Sequence, residues 1–224
     1  VMSVLTATLF VVLAPSPHGF QPIGAQGVTI KQSIIDTLRN SARHLTDPVL
    51  LALYLQPFMM MGGFVALYNY LGSHLTAPPY LLPVWVSSFV FLAYLAGTFS
   101  SPIAGRLAGK YGRKIVMLIS DAIAMAALLL LLVPSLAVSI GALIVFTAAF
   151  FGAHSTASGW AGAHPKIGRA QSTALYNFSY YIGSSVFGFV GGLFYQSLGW
   201  PALIGMTATI FVIATTVALS LIHI

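Results

Sequence analysis

The sequence has no cysteine and no glutamate, and only 5% of its 224 residues are charged. Without cysteine there is no disulfide framework, no thiolate metal site and no cysteine nucleophile. The scarcity of charge excludes more. A soluble domain is about 25% charged and about 45–50% apolar, whereas hydrophobic residues here reach 58%. Such a chain belongs in a lipid bilayer. Nine Lys and Arg against three Asp give a net charge of +6. The basic residues fall into three separate clusters, leaving no continuous patch for a nucleic acid to follow. Nucleic-acid binding and soluble-enzyme classes are therefore excluded. No His pair at helical spacing, no metal-grade His/Asp cluster and no Lys within an apolar run is present. The sequence thus predicts no metal site, no cofactor and no catalytic residue, and the chain is not expected to be an enzyme.

What is present is a succession of apolar runs of roughly 20 residues, the length needed to cross a bilayer as a helix. They cover Val49 to Leu71, Val84 to Ala104, Ile115 to Val133, Leu136 to Trp160, Ser172 to Tyr195 and Ala202 to Ile222. Ahead of them, residues 1–14 are apolar for about two-thirds of a crossing before Pro15, Pro17 and Gly19 break the run. This opening reads as the tail of a truncated transmembrane helix. Residues 15–48 form the one long polar stretch, in which Ile34, Ile35, Leu38, Ala42 and Leu45 recur at helical spacing among basic residues. That pattern predicts an amphipathic helix on the inner leaflet. Residues 49–224 then form a six-span all-α bundle.

The loops set the orientation, because cytoplasmic loops hold Lys and Arg in excess. Lys31, Arg39 and Arg43 precede the first full span, Arg106, Lys110, Arg113 and Lys114 separate the second from the third, and Lys166 and Arg169 separate the fourth from the fifth. The intervening connections have none. The expectation is a multi-pass protein of the cell's inner (plasma) membrane, with basic loops and C-terminus in the cytoplasm.

Polar residues within the spans are uneven. The first carries Tyr54, Gln56, Tyr68 and Asn69; the second Trp85 and Tyr94; the fourth His154 and Trp160; the fifth Tyr176, Asn177, Tyr180, Tyr181 and Tyr195. The third and sixth are nearly plain. Two polar-bearing spans followed by a plain one, twice over, is the trace that a three-plus-three repeat with peripheral third helices leaves. The alternative is that aromatic residues only decorate the membrane interfaces, although Asn69, His154 and Asn177 are not aromatic anchors.

Between the second and third spans the chain reads G-R-L-A-G-K-Y-G-R-K. A ten-residue connection between antiparallel helices would need glycine at its tight points, and its basic residues suit an anionic leaflet. Here the sequence resembles the major facilitator superfamily, whose loop motif is matched by Gly105, Leu107, Ala108, Lys110, Gly112, Arg113 and Lys114. Gly109 stands where the motif has Asp, so a cytoplasmic charge latch of the kind seen in that family would lack its carboxylate. The resemblance covers the whole chain, with the opening helix resembling span six of twelve and the rest spans seven to twelve. Phe151-Gly-Ala-His154, Ala174-Leu-Tyr176, Tyr180 to Ser185, Gly191-Gly192 and Gly199-Trp200 further resemble the YnfM-like branch of bacterial exporters grouped with drug:proton antiporters. The resemblance implies a secondary transporter that exports small organic molecules in exchange for protons by alternating access. Its partners would be a small-molecule substrate, protons, the missing N-terminal half and the lipid bilayer.

The candidate cavity residues are Tyr54, Gln56, Asn69, His154, Tyr176, Asn177, Tyr180 and Tyr181. Each has a plainer alternative. A lone His on a helix is more often a hydrogen-bonded packing residue than a proton relay. On the fifth span Asn177, Tyr181, Ser184, Gly188 and Gly191 or Gly192 share one helical face, and Ser184-x-x-x-Gly188-x-x-x-Gly192 is a small-residue motif of the kind that joins membrane helices. Asp121 is the one acid expected within a span, functional by default. Its position two turns after Lys114 favours an ion pair with Arg113 or Lys114 over a proton carrier. Pro57 and the run Met59-Met60-Met61-Gly62-Gly63 predict a broken or bending first span, or equally adaptable packing. Two rivals of other classes stand beside transport: a non-transporting structural subunit of the membrane, and an integral-membrane enzyme or cofactor-holding subunit.

Overall fold

The computed structural model describes residues 2–13 and 29–220, and no strand occurs among them. The chain divides into two compact units, Val1–Arg39 and Asn40–Ile224. In order the helices are α1 (Met2–Leu13), α2 (Ile30–His44), α3 (Pro48–Thr76), α4 (Val84–Ser87), α5 (Tyr94–Tyr111), α6 (Arg113–Leu130), α7 (Leu136–Ala163) and α8 (Arg169–Ser220), with a 3₁₀ segment Ser88–Ala93 between α4 and α5. The polar stretch before Thr29 lies outside the described residues. Helix α2 leaves Ile34 and Leu38 exposed, while Gln32 Nε2 donates to Asp36 one turn on, at 3.0 Å.

In the larger unit Asp47 starts α3, its carboxylate accepting from the backbone N–H groups of Val49 at 2.9 Å and Leu50 at 3.2 Å. This satisfies donors that every helix start leaves orphaned. Pro57 does not break α3, which runs unbroken over 29 residues. The missing N–H of one proline removes a single hydrogen bond, and the neighbouring glycines serve close packing. Pro48–Thr76, Val84–Tyr111, Leu136–Ala163 and Arg169–Ser220 are four helices long and apolar enough to cross a membrane. The last has 52 residues, which as one straight helix would be about 78 Å long, far more than a bilayer core of about 30 Å. Gly199, at φ 77° and ψ −169°, divides it into two arms, 169–198 and 200–220. Helix α6 is shorter, at 18 residues, and contains Arg113, Lys114 and Asp121.

The expected ten-residue loop at 105–114 is corrected. Helix α5 continues to Tyr111 and α6 begins at Arg113, leaving Gly112 alone to turn the chain at φ 93°. Leu107, Ala108 and the basic residues around them are good helix formers, and Cβ atoms at Gly105 or Gly109 would meet open space. Only at Gly112 does the backbone need a conformation that other residues avoid.

Glycine sets how the arms pack. A Cβ on Gly183 would run into the Phe58 backbone carbonyl, one on Gly62 into Phe187, one on Gly191 into Ala66 and one on Gly192 into the Tyr70 hydroxyl. Each step along α3 is matched by a step in the same direction along 169–198, so these two helices run parallel and nearly touch. The second arm returns antiparallel to α3, with Gln56 against Ala214 and Gly63 beneath Thr207 and Phe211. Helices α5 and α7 are also parallel, with Gly97 beneath Phe151 and Ser155 Oγ donating to the Ser101 carbonyl at 3.5 Å.

This register gathers the connections at two ends. One end holds Asp47, Gly112 and the turn at 164–168, joined by His44 Nε2 to the Gly168 carbonyl (2.9 Å) and by His164 Nε2 to Asp47 Oδ2 (3.2 Å). The basic residues of this unit lie at that end or within two turns of it. The other end is tied by Trp200 Nε1 donating to the Leu131 carbonyl (3.0 Å), by His74 stacked on Trp200 (4.0 Å, 3°) and by Tyr80 Oη meeting Ser139 Oγ (3.0 Å). Large apolar side chains such as Trp85, Phe89, Leu95 and Phe99 are exposed around the outside, as a bilayer-facing surface requires.

Candidate functional site

The eight cavity candidates do not form one site. Tyr54 is buried, its hydroxyl 2.8 Å from Ser172 Oγ. Ser172 gives its own hydrogen to the Ala161 carbonyl at 2.7 Å, so Tyr54 is the donor and the chain of bonds pins α3, α7 and α8 together. Gln56 is buried as well and donates to the Ala214 carbonyl, leaving its Oε1 without a partner. Asn69 is exposed on α3, where a Cβ on Gly188 would lie 3.3 Å from its Nδ2. That position is more than two turns along α3 from the level of His154 and Tyr176.

The remaining candidates do come together. His154 of α7 lies against Tyr176 and Tyr180 of α8, with ring centroids 5.5 and 5.3 Å away, and Tyr180 meets Tyr181 edge-on at 5.2 Å. Tyr176 is fully buried, with its hydroxyl 3.0 Å from His154 Nδ1 and 3.2 Å from the His154 carbonyl. A hydroxyl has one hydrogen, so the two contacts are completed by Tyr176 donating to the carbonyl while Nδ1–H donates to Tyr176. In that tautomer Nε2 is an acceptor, and it meets no protein hydrogen-bond partner among the described residues. His154 and Tyr180 are half-buried, whereas Asn177 and Tyr181 are exposed on the same side of α8.

Behind this edge is a wall of rings. Phe64 stacks on Phe150 at 4.1 Å and on Phe146 at 5.8 Å, Phe150 lies parallel to His154 at 5.9 Å, and Tyr94 meets Phe64 at 5.5 Å and Phe151 at 6.0 Å. Tyr68 Oη bonds Thr147 Oγ1 at 2.6 Å inside the wall. Tyr94 had only its polar character to mark it in the sequence. It starts α5 directly after the 3₁₀ segment and is 38% exposed, near enough to Tyr180 to interact electrostatically. A rigid aromatic wall bearing the hydroxyls of Tyr94, Tyr180 and Tyr181, an imidazole acceptor and the Asn177 amide suits a flat organic molecule with a few polar groups. None of these groups forms a metal cluster among the described residues.

The motif residues occupy the basic end. Lys110 Nζ stands 5.0 Å over the Tyr111 ring, and Arg106 and Arg113 are exposed. The expected ion pair of Asp121 with Arg113 or Lys114 is corrected: Asp121 is 1% exposed and neither carboxylate oxygen has a hydrogen-bond partner. The reason lies in the helix face. Met117, Asp121, Ala124 and Leu128 form one buried stripe of α6. Lys114 precedes Asp121 by seven residues, about 10.5 Å along the helix axis, and lies in the first turn of α6 at the basic end of the bundle, while Asp121 is enclosed between helices.

Comparison with known proteins gives the same class of molecule. The family model described as Major Facilitator Superfamily matches residues 49–224. A protein of Buchnera aphidicola subsp. Schizaphis graminum named as an uncharacterized transporter is 35% identical over 98% of this chain and 51% of its own length. The uncharacterized MFS-type transporter YybF of Bacillus subtilis is 36% identical over 96% of this chain and 51% of its own. The inner membrane transport protein YnfM of Escherichia coli is 36% identical over 95% and 49%. The chain spans about half the length of these curated relatives.

Proposed function

The chain belongs to the Major Facilitator Superfamily, and from that premise we propose that residues 49–224 form the C-terminal six-span bundle of a secondary active transporter. The transporter exports small organic molecules in exchange for protons by alternating access, from the cytoplasm across the inner membrane. The observation that carries this reading is the edge built by Tyr94, His154, Asn177, Tyr180 and Tyr181. Polar groups with spare hydrogen-bonding capacity are costly against lipid, so this edge suits a wet cavity shared with a second bundle. Helix geometry supports the six crossings. Because α3 and the arm 169–198 run parallel, an odd number of crossings separates them, which makes α6 a crossing together with Val84–Tyr111 and α7. The gathering of basic residues at one end supports a cytoplasmic placement of that end.

The test is the complete transporter in proteoliposomes containing a pH dye, presented with a panel of flat amphiphilic compounds. A compound that is carried should evoke proton flux opposite to its own, and a protonophore should abolish uphill export. Uphill export that is indifferent to the proton gradient would overturn the antiport reading.

A further inference from the structure

We propose that Asp121 is a proton-binding site, held in the folded bundle as a neutral carboxylic acid between α6 and the arm 200–220 of α8. The inference concerns the resting bundle and holds whether or not export consumes protons.

Asp121 sits in the buried stripe of α6, 1% exposed, with both carboxylate oxygens unbonded. A carboxylate in such a place needs a cation or several N–H donors, since an isolated buried charge is far costlier than a buried neutral acid. The elements packed on α6 supply neither. Helix α7 carries one titratable side chain, His154, whose Nδ1 is engaged with Tyr176. Helix α8 carries one charged residue, Arg169, at its start beside the turn at 164–168. It offers Asp121 the Thr215 hydroxyl, which lies alongside, and Tyr176, which is within electrostatic range. Helix α5 carries Arg106 and Lys110, both exposed, and α6 itself carries Arg113 and Lys114 at its first two positions, about two turns before Asp121. Among the described residues no ion pair reaches Asp121. One proton removes the need for a cation and leaves an O–H and a C=O whose natural neighbour is Thr215. Asp36 and Asp47, the other acids of this sequence, both reach water and have no such need.

Infrared spectroscopy of the purified protein in nanodiscs at neutral pH reads the protonation state directly. The carbonyl stretch of a neutral carboxylic acid should be present, and Asp121→Asn should remove it while leaving the melting temperature nearly unchanged, because Asn matches the neutral acid in shape and charge. Should the variant fail to fold, isotope labelling of the aspartate carboxyl carbon in the unaltered protein should shift the same band. A spectrum with carboxylate bands alone, or an acid band that neither the substitution nor the label moves, would overturn the assignment.

Discussion

At the scale of single residues, glycines separate into those that join helices and those that merely occur in them. Gly183 lets α8 lie on the α3 backbone at Phe58, whereas a Cβ at Gly205 would meet nothing within 4 Å. In a bilayer close backbone approach is the main source of helix association, because lipid is as apolar as leucine. Gly183→Leu should therefore lower the folded yield severely, while Gly205→Ala should be neutral or stabilising by about 0.5–1 kcal/mol from helix propensity. Detergent-solubilised yield and thermal unfolding measure both; equal effects would remove the distinction. Sequence spacing revealed which residues share a face, but not where along that face a neighbour crosses. Asn177 and Gly188 lie nearly in line on α8, yet Gly188 is buried and Asn177 exposed, because the contact with α3 does not follow that one face along the whole arm. Tyr54 and Gln56 looked like cavity residues for the same reason: a polar side chain in a span must find a partner, and whether that partner is water or a neighbouring backbone depends on the packing.

At the scale of elements, long apolar runs made most helices legible, and the turns between them less so. Leu198 to Pro201 was readable as a connection because Gly199 precedes Trp200 and Pro201. The 3₁₀ segment Ser88–Ala93 was not, since no residue in Ser-Phe-Val-Phe-Leu-Ala forbids an α-helix. The basic motif misled in the opposite direction, its glycines suggesting a loop where one residue suffices. Gly112→Ala tests the hairpin. At φ 93° and ψ 141° a residue with a Cβ is strained by about 1–3 kcal/mol, whereas Gly109→Ala, in open space, should be tolerated. Thermal unfolding of the two variants should therefore separate by several degrees, with Gly112→Ala the lower. A reversed order would mean that the turn resides elsewhere in the motif.

At the scale of the whole molecule, the proposed transporter has one bundle presenting a polar edge to another. Alternating access needs two bundles moving about a site between them, and this chain spans about half the length of its relatives. Reconstituted alone, the chain should move no substrate above background. Saturable export by the isolated chain would contradict the two-bundle reading. The gathering of basic residues at one end also predicts that a reporter fused after Lys110 lies in the cytoplasm and one fused at Ala77 outside; equal sidedness would refute the six crossings. The most direct measurement asks whether the edge at Asn177 and Tyr181 faces water. The sequence has no cysteine, so single cysteines can be introduced without removing any from this bundle. Tyr181 and Phe99 are nearly equally exposed in the bundle, at 67% and 71%, and differ in what they are expected to face. In the complete transporter Asn177→Cys and Tyr181→Cys should react with a charged, membrane-impermeant thiol reagent, and Phe99→Cys should not. Labelling at position 99 with silence at 177 and 181 would show that the edge assigned to the substrate path faces lipid.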